Sequence, residues 1–265
     1  MRFSVFGARG FIGRNLCKYL SGHGHEVIEI NRGDQEKDLD NLGHVIYAAG
    51  LTGDFRLHPN ETIEAHVCNL VKCLQKYNFE SWLYLSSTRV YRMSSHSTKE
   101  SATLPIKADA DGIYDISKLL GESYCMATAC PDIRVARLSN VYGPDQGVST
   151  FLGSIVRDIH EGKSIFIGED PQSAKDYIAI EDVVELLVKI AGGGRDRIYN
   201  IASGRNIAHQ TLIELLQEHS RANFTFKPNA PRRAFPVIDI SRAVSEFGFT
   251  PRELASELGN LFTEI

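Results

Sequence analysis

Two short patterns in this chain could do chemistry together. Tyr114 and Lys118 have the spacing Tyr-x-x-x-Lys, which puts them one turn apart on a helix and lets them move a proton. A phenol ordinarily ionises at a pKa of about 10, too high for a base at neutral pH. An ammonium one helical turn away favours the phenolate and lowers that value. Roughly a hundred residues earlier the chain reads Arg2-Phe3-Ser4-Val5-Phe6-Gly7-Ala8-Arg9-Gly10-Phe11-Ile12-Gly13. An apolar strand pattern ends at Gly7, and an amphipathic segment follows with Phe11, Ile12, Leu16, Tyr19 and Leu20 on one face. Strand, tight glycine turn and helix N-terminus together offer free N–H groups and a positive dipole end to a dinucleotide's pyrophosphate. A chain carrying both patterns can move a hydride and a proton in one site. Each has a plainer reading, a ligand-free strand–turn–helix and an exposed helical pair, and the context of each pattern decides against it.

That context is an alternation of strand and helix. Strands are predicted over residues 2–6, 26–30, 44–48, 82–86 and 134–138, and helices over 10–21, 61–77 and 113–129. The alternation predicts an α/β fold, a Rossmann-type doubly wound parallel sheet with helices on both faces. Residues 31–43 are the exception. Asp34 to Asn41 is too polar for a buried parallel strand, so a sheet trimmed on this side is expected. Further helices are predicted over 149–161, 181–191, 206–219 and 241–247, with Gly192, Gly193 and Gly194 forming a loop. Pro228, Pro231 and Pro236 mark another loop, which carries Arg232 and Arg233. Residues 1–140 are expected to form the dinucleotide-binding domain, and 141–265 mainly a substrate lobe whose chain crosses back to the sheet.

Composition narrows the function classes. The 265 residues carry a net charge of −4 with no basic stripe or polybasic run, which argues against a nucleic-acid partner. No apolar run reaches the roughly 20 residues that span a bilayer, and the start has no signal-peptide pattern, so no membrane association is expected. The five cysteines, Cys17, Cys68, Cys73, Cys125 and Cys130, are odd in number and form no Cys-x-x-Cys pair. They read as small core residues in a reducing cytoplasm, and no His or Cys cluster has metal-ligand spacing. His23 and His25 are expected to be structural and Trp82 core. His58, His66 and His96 are expected to face solvent, while Asp54 and His58 follow the Ala49-Gly50 turn closely enough to line a site.

Taken in order, these motifs resemble the extended short-chain dehydrogenase/reductases of the NAD-dependent epimerase/dehydratase type over nearly the whole chain. Gly7, Gly10 and Gly13 match the family's glycine motif. His44-Val45-Ile46-Tyr47-Ala48-Ala49-Gly50 matches a strand ending near the cofactor, and Asn69 matches a helical Asn. Leu83-Tyr84-Leu85-Ser86-Ser87-Thr88-Arg89-Val90-Tyr91 matches the strand and turn with the catalytic Ser or Thr. Arg137-Leu138-Ser139-Asn140-Val141-Tyr142-Gly143-Pro144 and the stretch from Lys175 to Asp182 match substrate-side motifs, and Tyr199-Asn200-Ile201-Ala202-Ser203-Gly204 matches a late strand and turn.

The resemblance implies Tyr114 as acid/base, Lys118 as its cation, and Ser87 as the hydroxyl aligning the substrate oxygen, with Thr88 as alternate. It implies that Gly7, Gly10, Phe11, Ile12, Gly13, Ala48, Ala49, Gly50 and Asn69 surround the cofactor. Asp38 and Leu39 stand in for the family's acid–aliphatic pair at the adenine. NAD-preferring sites usually place an acid after the second strand. Here Asn31 and Arg32 stand there, and Arg9 lies inside the glycine turn, so NADP is expected, with NAD as the alternative. Asn140, Lys175 and Arg232 or Arg233 match residues that hold a nucleotide-sugar diphosphate. The family's dehydratases carry an Asp-Glu pair where this chain has Thr88 and Arg89, which argues against eliminating water. A sugar-nucleotide epimerase or 4-ketoreductase remains, with a non-catalytic dinucleotide sensor as the alternative. The family also implies a homodimer through the 61–77 and 113–129 helices.

Overall fold

The computed structural model describes residues 1–34, 39 and 41–262. In chain order the first part comprises β1 (Arg2–Phe6), α1 (Phe11–Gly22), β2 (Glu26–Ile30), β3 (His44–Tyr47), α2 (Pro59–Ile63), α3 (Asn69–Lys76), β4 (Ser81–Ser87), α4 (Gly112–Ala127) and β5 (Ile133–Leu138). The second part comprises β6 (Asn140–Tyr142), α5 (Phe151–His160), β7 (Ile165–Ile167), β8 (Ala174–Ala179), α6 (Ile180–Gly193), β9 (Ile198–Ile201), β10 (Asn206–Ala208), α7 (His209–His219), β11 (Phe224–Phe226), α8 (Ser241–Phe247) and α9 (Leu254–Glu257).

Six strands form one parallel sheet in the order β2-β1-β3-β4-β5-β9. Strand order reverses between β1 and β3, which opens a crevice at their carboxyl ends. Helices cover both faces, so central strands read as continuous buried runs rather than alternating ones: every residue of β5 is buried. On one face Phe3, Val5, Ile46, Leu83 and Leu85 pack with Leu16 and Leu20 of α1 and Leu187 of α6. On the other, Phe6, Tyr47, Trp82, Tyr84 and Val135 pack with Leu70, Cys73 and Cys125. Two arginines buried in β5 are paired. Arg134 meets Asp132 at 3.1 Å, and Arg137 meets Glu122 at 2.6 Å and the Tyr91 hydroxyl at 2.6 Å, so neither charge is left uncompensated. This is the expected doubly wound fold. Among the described residues its edges are β2 and β9, and after β2 Asn31 to Asp34 form a turn closed by Asp34 N–H to Asn31 O at 3.0 Å.

The second part builds a smaller body from the sheets β10-β8-β6 and β11-β7. Its core holds Leu152, Ile155, Ile165, Tyr177, Leu212, Leu216, Leu254 and Leu258. Between these pieces the chain returns to the large sheet through α6 and β9.

Three local expectations change. Gly192 and Gly193 extend α6 rather than forming a loop, because the helix continues to a bond from Gly194 N–H to Ile190 O. Asn206–Ala208 is a strand rather than the first turn of a helix, since it pairs antiparallel with β8. The segment predicted as one helix over 61–77 begins at Pro59 and carries a π-helical turn at Glu64–Cys68. A π turn disturbs the regular carbonyl ladder, and here tyrosine hydroxyls from the sheet supply bonds. Tyr47 donates to Ala65 O at 2.8 Å and Tyr84 to His66 O at 3.1 Å. Gly121 of α4 permits this contact: a Cβ there would lie 2.6 Å from the Tyr84 hydroxyl and 3.0 Å from His66 O.

Candidate active site

The glycine turn is shaped by close backbone approach. Gly7 has φ +76°, and a Cβ on it would lie 2.9 Å from Ala49 N, so the turn seats directly on the end of β3. A Cβ on Gly13 would collide with the carbonyl of Gly7. α1 then opens at Gly10 with no side-chain cap, leaving its first N–H groups for an anion. Gly10, Phe11, Ile12, Gly13, Ala48, Ala49 and Gly50 line one end of a cleft of about 650 Å³.

Ser87, Thr88, Tyr114 and Lys118 line the middle of the same cleft. Ser87 ends β4, and its Oγ accepts from Arg89 N–H at 3.2 Å, which fixes it at the start of the turn Thr88–Tyr91. Tyr114 is 5% exposed, and its phenol faces the Ser87 and Thr52 hydroxyls. Burial raises its pKa above the usual phenol range, while those hydroxyls and the Arg89 charge pull the other way. Lys118 donates from Nζ to Leu85 O at 2.8 Å, and burial lowers its pKa to about 7. The arrangement can protonate, or deprotonate, an oxygen placed between Ser87 and Tyr114.

The other end of the cleft is basic. Lys175 lies 3.4 Å from Glu169 and 4.2 Å above the Phe151 ring. Burial lowers its pKa while Glu169 raises it. Arg233 approaches Glu169 at 3.6 Å. Asn140, exposed here, donates to Asp176 O at 2.7 Å. Beneath them His209 is fully buried, stacked on Phe151 at 4.4 Å, with Glu169 at 3.6 Å.

Some expected residues lie elsewhere. Asn69 does not line the cleft: it follows the π turn, and the residue presented beside Gly50 is His66. His66 is wholly buried rather than solvent-facing, whereas His58 and His96 are exposed. Asp54 lines the cleft and His58 does not. Arg232 and Arg233 alternate sides of an extended segment. Arg233 is tied to Ser173 Oγ by its N–H at 2.9 Å and lines the cleft, while Arg232 is exposed outside it. Arg9 and Arg32 are exposed and outside the cleft lining. The Asn31 side chain braces the glycine turn, accepting from Arg9 N–H at 3.0 Å, and Asn31 N–H in turn donates to Asp34 at 3.1 Å. Leu39 is half-buried against the β2 side of the core, and Asp38 lies outside the described residues.

Sequence reasoning passed over Thr52, Phe55 and Glu169, placed His66 in solvent, and treated Arg89 only as a missing carboxylate. Arg89 pairs with buried Asp115 at 2.9 Å and sits 5.7 Å from the Tyr114 ring. Its position two residues after Ser87 was the available signal.

Comparison with known proteins follows the same lines. The model of the "NAD dependent epimerase/dehydratase family" matches residues 3–202. The chain is 25% identical over 296 aligned residues to UDP-glucuronic acid decarboxylase 1 of Arabidopsis thaliana, covering 95% of this chain and 66% of that one. It is 28% identical over 211 residues to UDP-2-acetamido-2,6-beta-L-arabino-hexul-4-ose reductase of Pseudomonas aeruginosa, covering 73% of this chain and 50% of that one. The chain thus spans about half to two-thirds of these relatives' lengths. In fold it is similar to UDP-glucuronic acid 4-epimerase from Bacillus cereus, solved with UDP-glucuronic acid and NAD, at TM-score 0.84 and 20% identity, covering 99% and 98% of the two chains.

Proposed function

The chain belongs to the NAD-dependent epimerase/dehydratase family, and from that premise we propose that it is a sugar-nucleotide epimerase or 4-ketoreductase using NAD(P). One observation carries this reading. Ser87, Tyr114 and Lys118 meet in a single cleft between an uncapped glycine turn and a basic end formed by Lys175 and Arg233. A dinucleotide fits the glycine end, where backbone approaches closely and N–H groups are available. A nucleotide diphosphate fits the basic end, with Lys175 acting as a point charge rather than a fork.

The cofactor supplies the hydride, and the chain's residues do the rest. Ser87 donates a hydrogen bond to the sugar oxygen and aligns it beside the phenol. In the reducing direction Tyr114 gives its proton to that oxygen as hydride reaches carbon, and the resulting phenolate regains a proton from solvent. Lys118 and Arg89 hold positive charge near the phenolate while it exists. Epimerisation uses the same steps, first in reverse and then forward on the opposite sugar face. Arg89 beside Thr88 leaves no carboxylate at the position where the family's dehydratases carry theirs, which supports these reactions over loss of water.

The test is turnover. The purified chain is incubated with UDP- and dTDP-sugars, their 4-keto forms, and NAD or NADPH, and products are identified by mass spectrometry. Cofactor binding without any turnover would replace the enzyme with a dinucleotide sensor.

Arg9 and Arg32 support NADP as the preferred cofactor, since both are exposed beside the turn that would hold the adenosine ribose. A charge-assisted contact to a 2′-phosphate contributes roughly 1.5–3 kcal/mol. Arg32→Asp is therefore expected to weaken NADPH by at least about tenfold and NADH far less, measured as dissociation constants at one salt concentration. Equal weakening of both would make Arg32 a surface residue and favour a tightly held NAD. Asp34 is the competing feature, an acid after β2 that already holds Asn31 N–H.

A homodimer is supported by apolar side chains left exposed on α2 and α4: Ile63 is 41%, Ile116 39% and Leu120 52% exposed. Light scattering at micromolar concentration should return twice the 29.5 kDa chain mass, and a clean monomer would refute the dimer. The free thiols of Cys17, Cys68, Cys73, Cys125 and Cys130 support a reducing, cytoplasmic setting. Among the described residues no helix is long and apolar enough to cross a membrane, and no group of His, Cys, Asp or Glu could hold a metal.

A further inference from the structure

We infer that His66 is a positioning residue for Tyr114: a neutral imidazole, protonated on Nδ1, that straps the turn from Gly50 to Thr52 onto the helix carrying the phenol. The inference rests on the catalytic reading of Tyr114 given above.

The direction of the hydrogen bonds fixes the tautomer. Leu51 N–H can only donate, and it points at His66 Nε2 at 3.3 Å, so Nε2 carries the lone pair. The proton is then on Nδ1, 2.8 Å from Ser117 Oγ. Ser117 Oγ accepts it and passes its own hydrogen to Tyr114 O at 2.9 Å. One chain of bonds, each with a single sense, thus runs from the turn after β3 to the backbone of Tyr114. The imidazole edge also meets the Tyr114 ring, centroids 5.3 Å apart at 86°.

The placement is built rather than incidental. His66 is 0% exposed and lies in the π turn, whose carbonyl at His66 takes the Tyr84 hydroxyl. Gly50 lets the ring come close. A Cβ there would sit 3.2 Å from His66 Nε2 and 3.4 Å from Lys118 Nζ, so the imidazole and the ammonium border the same spot. The ionisable side chains against the ring are Lys118 and Tyr114 of α4. Burial, with the Lys118 charge second, holds the imidazole neutral, its pKa lowered to about 2. A protonated ring would lose its Leu51 bond and repel Lys118.

The consequence reaches the reacting atoms through Thr52. Its hydroxyl faces the Tyr114 phenol and favours the phenolate, and it is the residue after Leu51, the one His66 holds. Thr52 itself is exposed in the cleft, so the hold on the Leu51 backbone beside it helps set where its hydroxyl sits relative to the phenol.

The test has a spectroscopic arm and a kinetic arm on the full chain. In ¹⁵N NMR of the imidazoles, with His66 assigned by its loss in His66→Gln, Nδ1 should be of the protonated type. Neither nitrogen should titrate between about pH 5.5 and 8.5, where an ordinary histidine does. A proton on Nε2, or titration near the ordinary value, would overturn the inference whatever the enzyme does. In the kinetic arm His66→Leu should lower kcat by about 10²-fold, the scale of a small misplacement of reacting groups, with cofactor dissociation constant and substrate KM near wild type. Glutamine can accept from Leu51 and donate to Ser117, so His66→Gln should recover about tenfold of that loss. Ser117→Ala, a small change at the far end of the chain of bonds, should lower kcat in the same direction should His66→Leu not fold. Wild-type kcat in His66→Leu, or equal losses in the Leu and Gln variants, would reduce His66 to packing. A wild-type chain that turns over no sugar nucleotide would sink the functional reading, while the NMR result still decides the strap.

Discussion

Tyr114→Phe is expected to lower kcat by about 10²–10⁴-fold, the usual contribution of a positioned acid or base, and to leave cofactor affinity close to wild type. The structure separates ring from hydroxyl. The ring packs against Phe55 at 5.2 Å and His66 at 5.3 Å, and phenylalanine keeps both contacts. The hydroxyl alone meets Ser87 and Thr52. Ser87 Oγ retains its bond from Arg89 N–H, and Thr52 opens to the cleft, so neither is left buried and unsatisfied, and the fold should survive. Burial raises the phenol's pKa, so in the cofactor-free site it rests protonated and ready to act as an acid. Circular dichroism and cofactor titration establish that the variant is folded and binds. A variant retaining more than about a tenth of wild-type turnover would place the proton donor elsewhere.

What could be read in the chain beforehand follows from how local each constraint is. The glycine turn is legible because its requirements are backbone ones: Gly7 needs positive φ and Gly13 must clear Gly7 O. Tyr114 and Lys118 are legible because one helical turn joins them. β5 and β4 are legible as apolar runs because helices cover both sheet faces. The short β10 is not, because it is specified by its partner β8 rather than by its own three residues. The π turn depends on Tyr47 and Tyr84 in two other strands and on Gly121 in a third element. His66 therefore looked like any histidine on a helix, and its neighbour in space, Ser117, is 51 residues away. Arg89 shows the intermediate case. Its place in the motif was plain, but its partner Asp115 lies 26 residues on. That pairing turns an apparent substitution into a cation held beside the phenol. Glu169, His209 and Lys175 were likewise scattered: the Phe151 ring carries Lys175 and His209, and Glu169 faces both.

Lys118→Met should damage two properties at once, turnover and cofactor affinity, and it should do so without unfolding the protein. Lys118 is 5% exposed, and its ammonium donates to Leu85 O at 2.8 Å. Burying it costs enough that its pKa falls to about 7. A methionine of similar length relieves that cost, so stability should hold or rise. The sign of the pH dependence follows from the lowered value. Below about 7 the free protein carries the ammonium; above it the amine is neutral and cannot favour a phenolate or bond a ribose as a cation. For the unfolded chain the ordinary lysine value applies, so between the two values the unfolded state binds the extra proton, and folding stability gains as pH rises through that window. Kinetically the order is reversed. In wild type kcat/KM should fall as pH rises above about 7, and Lys118→Met should be low throughout, without that alkaline limb. Lys118→Arg, which keeps its charge at every working pH, separates the two demands made of the residue. It should lose the alkaline limb while retaining more activity than methionine. Steady-state kinetics across pH for the three proteins, with NADPH dissociation constants at each point, decide it. A methionine variant that keeps the alkaline limb would assign the titration to another group, and one that binds cofactor like wild type would remove Lys118 from the dinucleotide end of the site.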